Sequence, residues 1–122
     1  MNVSISIDVP NVEQAITFYT QALGCTGPLK KQGLKTLNAG NVDLYLLDKE
    51  ADTCPLPHGD AKRSYERHWT PIHLDFLVDD VAGAVKKIVE LGGTSEGGEK
   101  GDWGEIAYCS DPFGNGFCLI RE

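Results

Sequence analysis

The chain has 122 residues, 41% of them hydrophobic and 24% charged, a balance that suits one ordinary domain and excludes a disordered segment. Its net charge of -7 argues against nucleic acid as a partner, because phosphate binding needs clustered Lys and Arg, and the basic stretch from Lys62 to His68 is interrupted by Glu66. No apolar run approaches the roughly 18 residues of a membrane span, and MNVSISIDVP is no export leader, so no membrane partner and a cytoplasmic location are expected.

In chain order, Ile5, Ile7 and Val9 alternate with Ser4, Ser6 and Asp8, the period of a strand with one apolar and one wetter face. Val12, Ala15, Ile16, Tyr19 and Leu23 then recur at helical spacing, with Asn11 placed to cap the helix and Gly24 to stop it. Short strands are predicted near Leu34–Leu37 and Val42–Leu47, turning at Gly40-Asn41. Residues 49–70, with Pro55, Pro57, Gly59 and many charges, read as a linker or a flap over a site. A second alternation follows, Leu74, Phe76 and Val78 against His73, Asp75 and Leu77. Its helix carries Val81, Ala84, Val85 and Ile88, capped by Asp79 or Asp80 and stopped by Gly92-Gly93. The stretch from Gly92 to Gly98 reads as a flexible turn region. The last strands are predicted near Glu105–Cys109 and Gly116–Arg121, joined by a turn over Asp111–Asn115. Cys25, Cys54, Cys109 and Cys118 are scattered, with no CxxC pair, and are expected as thiols.

Residues 4–24 and 73–93 repeat one pattern: with Ser4 aligned on His73, Val9 falls on Val78, Val12 on Val81, Ala15 on Ala84 and Ile16 on Val85. The residues therefore read as β-α-β-β, a linker, and β-α-β-β, an α+β fold with helices on one side of a largely antiparallel sheet. The opposite face, with Ser4, Ser6, Asp8, His73 and Asp75, is expected to line a concavity rather than simply to meet water. A single domain over residues 1–122 is expected, with module one at about 1–50, a linker at about 51–70 and module two at about 71–122.

The stretches VPNVEQAITFYTQALG, HLDFLVDDVAGAVKKIVELGG and SDPFGNGFCLI resemble the vicinal oxygen chelate superfamily, which includes glyoxalase I, extradiol dioxygenases and bleomycin-resistance proteins. The last stretch is similar to that family's Asp-Pro-x-Gly-Asn turn before its final strand. The resemblance covers nearly the whole chain. It implies two βαβββ modules forming a curved, cup-like mixed sheet with helices outside, and a homodimer. It also implies metal ligands, usually His, Glu or Gln, from the first and last strand of each module. Those positions here are Ser4, Tyr45, His73 and Cys118. None is a carboxylate, so hard ions such as Mg²⁺ or Mn²⁺ lack their ligands and no resident cofactor is expected. The alternative is a softer divalent metal on His73 and Cys118, with Asp75 as a third ligand and His58 or His68 swinging in from the linker.

Outside any metal, His73 is the candidate acid/base, with Asp75 placed to orient it, against a histidine simply hydrogen-bonded into the sheet. Cys118 is either a reactive thiol or a small buried hydrophobe. Trp69 and Trp103 are placed to stack on a planar ligand or to pack at strand ends, and Arg63, Arg67 and His68 to reach an anion from the linker or to solubilise it. Small-molecule binding is thus expected to involve Ser4, Ser6, Tyr45, His73, Asp75, Trp103 and Cys118. Three functions compete: a metal-independent binder of a small molecule, a glyoxalase-type lyase or isomerase (or a dioxygenase-like enzyme), and a dimeric interaction module without a ligand.

Overall fold

The computed structural model describes residues 1–122. The chain divides into two compact units, the first made of residues 1–20 and 24–65, the second of residues 21–23 and 66–122.

In the first unit, β1 (Ser4–Val9) leads into α1 (Val12–Gln21) and then β2 (Thr26–Lys31), β3 (Leu34–Asn38) and β4 (Asp43–Asp48). The sheet order is β1-β4-β3-β2, with β1 parallel to β4 and the other pairs antiparallel. Alternation works as expected: Ile7 and Val9 are buried with Leu37, Leu44 and Leu46, while Ser4 and Ser6 stay exposed on the other face. The Asn11 side chain accepts from the Gln14 backbone N–H at 3.0 Å, which satisfies one orphan donor of the first helical turn. Ala15, Phe18 and Tyr19 form the buried side of α1, and the last two rings meet edge to face.

The second unit repeats this topology. β5 (Leu74–Leu77), α2 (Val81–Glu90), β6 (Thr94–Gly101), β7 (Gly104–Ser110) and β8 (Gly116–Arg121) form a sheet of order β5-β8-β7-β6, with β5 parallel to β8. Asp80, rather than Asp79, caps α2 by accepting from the Gly83 N–H at 3.0 Å. α2 packs on β6, β7 and β8, burying Val81 and Ile88 on the side where Ala107, Cys109, Phe117 and Leu119 are also buried. The turn before β8 is built around Asp111, whose Oδ1 accepts from the N–H groups of Phe113 and Asn115 while its Oδ2 accepts from the Asn115 amide.

Two strands correct the β-α-β-β reading. β2 and β6 are edge strands, exposed along their whole length, so no buried apolar face marks them in the sequence. β6 occupies the stretch expected to be a flexible turn. Its ladder with β7 is interrupted by a bulge between Ser95 and Gly98, and a side chain at Gly98 would meet the Ile106 carbonyl, so glycine here permits close pairing rather than looseness. Residues 49–70 contain no helix or strand, and those up to Tyr65 belong to the first unit. There Arg63 donates to Asp8 at 2.8 Å and Tyr65 donates to the Lys49 carbonyl at 2.6 Å.

No helix is long and apolar enough to cross a membrane. All four cysteines are free thiols.

Candidate functional site

The parallel register of β5 on β8 places Asp75 directly beside Cys118, and Tyr108 of β7 flanks Cys118 on its other side. Residues directly opposite one another share a sheet face, so these three point away from α2. His73 enters the same face one pleat earlier. Its Nε2 lies 3.2 Å from Asp75 Oδ1, and the possible ligand atoms of His73, Asp75 and Cys118 all fall within 4.8 Å of one another. His73 and Asp75 are half exposed, whereas Cys118 is buried. Burial, reinforced by the Asp75 charge and hydrogen bond, pushes the Cys118 thiol up. It therefore stays protonated at neutral pH, which argues against an activated nucleophile. Cys109 faces α2, where burial raises it to about 11, and Cys25 is likewise raised to about 11 by burial.

His73 and Cys118 line the floor of a cavity of about 490 Å³, with Asp75 outside the lining but against His73; the walls are Trp69, Tyr108, Ile106 and the Arg67–Glu96 pair. That volume is in the range of small-molecule sites, roughly 300–1,000 Å³. Arg67 binds Glu96 through two hydrogen bonds, 2.7 and 2.9 Å, and also donates to the His68 carbonyl. The guanidinium holds the Glu96 carboxyl below its usual range, while Glu96 raises Arg67 further. Gly116 makes this seat possible, because a Cβ there would lie 2.7 Å from the Arg67 terminal nitrogen.

The remaining expected site residues divide differently. Ser4, Ser6 and Tyr45 lie in the first sheet, with Tyr45 the register partner of Ser6. Ser4 stands opposite Asp43, but that carboxylate is already engaged by Lys31 at 2.7 Å and Asn38 at 3.1 Å, and Lys31 holds its pKa down. Trp103 sits on the β6–β7 hairpin turn, against Gly101, and does not line the cavity; Trp69 does. His58 and His68 are exposed and outside the metal-capable group, and His68 Nδ1 instead meets the Glu66 carbonyl. Arg63 and Arg67, placed by sequence to reach an anion or to solubilise the linker, are each paired with a carboxylate, Asp8 and Glu96. Glu96 and Tyr108 are the members that residue patterning missed: one lies on an unrecognised edge strand, the other on the wet face of β7.

The chain matches the sequence model of the glyoxalase-like domain over residues 4–120. It belongs to that family, and so to the vicinal oxygen chelate superfamily. No curated protein matches the sequence. Among solved structures, the glyoxalase-like chain is similar to the fosfomycin resistance protein FosX from Mesorhizobium loti at 15% identity and a TM-score of 0.72, covering 100% of this chain and 92% of that one. Lactoylglutathione lyase from Agrobacterium tumefaciens gives 20% identity and a TM-score of 0.63, with 98% and 92% covered. A glyoxalase/bleomycin resistance protein from a Streptomyces species gives 25% and 0.63, with 98% and 99% covered. These likenesses establish the glyoxalase fold; the chemistry rests on the residues.

The family's hard-ion ligand set does not fit this chain. Of the four implied positions, Ser4 is a poor ligand, Tyr45 carries a phenol, and Cys118 replaces a carboxylate with a soft thiol.

Proposed function

We propose that this glyoxalase-like chain binds a small organic molecule in the concavity of its second sheet, without the family's usual metal ligands. The observation that carries this reading is the cavity itself: one wall is aromatic, and His73 and Cys118 converge on its floor with Asp75 held against His73. Trp69 supplies a flat face, Tyr108 a second, and His73 a donor or acceptor held by Asp75. The test is a thermal-shift screen of a chemically diverse library against the protein and its Trp69→Ala/Tyr108→Ala variant. Compounds that stabilise only the unaltered protein support binding here; turnover of such a compound would instead make the chain an enzyme, with His73 as its acid/base.

A second reading is favoured by one feature. His73, Asp75 and Cys118 offer nitrogen, oxygen and sulfur together, a donor set suited to a borderline ion such as Zn²⁺ and not to Mg²⁺. Such an ion would polarise a ligand oxygen. Cys118 would have to lose a proton that burial and Asp75 now retain. Elemental analysis of protein purified without chelator decides between the two: stoichiometric zinc, lost in His73→Ala, would overturn the metal-free reading.

A further inference from the structure

The charges around the cavity bear on what it accepts. Its one cation, Arg67, is neutralised by the two-point pair with Glu96. Asp75 does not itself line the cavity but sits against its floor, 3.2 Å from the lining His73, and carries a carboxylate with no guanidinium partner. The lining charges thus cancel, and Asp75 is the net charge left beside the cavity, in a chain whose net charge is already -7. Two aromatic faces are open to a ligand there, Trp69 at 81% and Tyr108 at 37% exposure. Aromatic faces near one carboxylate that no guanidinium pairs attract cations and flat rings, whereas an anion meets repulsion with no free guanidinium to offset it.

Building on the small-molecule reading above, we infer that the second-sheet cavity selects a planar aromatic ligand bearing a positive charge and rejects the matching anion. The ring lies against Trp69 and Tyr108, and its cationic group faces Asp75. Glu96 acts as a specificity-determining residue by neutralising Arg67, which would otherwise offer an anion a two-point seat.

The test uses three probes with one ring system: 1-naphthylmethylammonium, 1-naphthalenemethanol and 1-naphthoate, titrated calorimetrically while the Trp69 indole N–H is followed by NMR. The cation should bind tightest and the carboxylate weakest, about tenfold or more apart. Asp75→Asn should shrink that spread, and added salt should weaken only the cation. Glu96→Gln, which frees Arg67, should raise carboxylate affinity above that of the ammonium probe. Equal affinities, or a preference for naphthoate in the unaltered protein, would overturn the charge selection while leaving the binding site standing. Failure of all three probes to bind or to move the Trp69 signal would overturn both. Thermal unfolding of each variant separates a lost site from a lost fold.

Discussion

Gly116 and Asp111 show how single residues hold the cavity in place. A Cβ at position 116 would meet only the far end of the Arg67 side chain, so Gly116→Ala should fold normally but displace the guanidinium from Glu96. The expected readout is a small loss of stability, under about 1 kcal/mol for a half-exposed ion pair, with a clear shift of the Trp69 indole resonance. Asp111 is different in kind. It is 2% exposed, and its carboxylate satisfies two backbone N–H groups in the turn before β8. Asp111→Ala leaves those donors buried and unpaired, and should cost about 3 kcal/mol in urea unfolding, while Asp111→Asn, which keeps one acceptor oxygen, should cost less. Sequence reading identified this turn from Asp-Pro and Gly-Asn, singled out His73 and Asp75 because strand alternation sends them to one face, and reached Cys118 through the family resemblance. It gave no sign that Arg67 and Glu96 would pair, since they lie 29 residues apart and their meeting depends on tertiary structure.

At the scale of elements, the strands with a buried face were legible and the edge strands were not. β1, β4, β5, β7 and β8 announce themselves by apolar residues on alternate positions, or by continuous burial as in Phe117, Cys118 and Leu119. β2 (TGPLKK) and β6 (TSEGGEKG) are exposed along their length and carry no alternating apolar face, and Glu96 was hidden with them. The helices were marked by caps: Asp80→Ala should destabilise α2 by about 1 kcal/mol, measured as a lower unfolding midpoint in denaturant. The Arg67–Glu96 pair ties the segment before β5 to β6 and makes that attachment sensitive to acid. Because Arg67 depresses the folded-state pKa of Glu96, the pair's contribution is present above the unfolded carboxylate pKa and is lost as pH falls through the lower folded value. Denaturant unfolding from about pH 6 down to about pH 3 should therefore show a steeper loss of stability for the unaltered protein than for Glu96→Gln.

At the scale of the whole molecule, the internal repeat is the feature that sequence revealed most fully. The match between residues 4–24 and 73–93 becomes two sheets of identical order, each with its first strand parallel to its last and a bulged outer strand. What the repeat does not transmit is chemistry. The first sheet pairs Ser6 with Tyr45 and commits Asp43 to Lys31, whereas the second gathers His73, Asp75 and Cys118, the first and last of them on the floor of a cavity. Equivalent backbones thus carry unequal side chains, and the candidate site lies in one unit. The most direct measurement is a crystallographic fragment screen on the unaltered protein. Fragments gathered against Trp69 and Tyr108, above His73 and Cys118, are the expected result. A cavity left without fragments while they collect elsewhere on the surface would contradict small-molecule binding at this site.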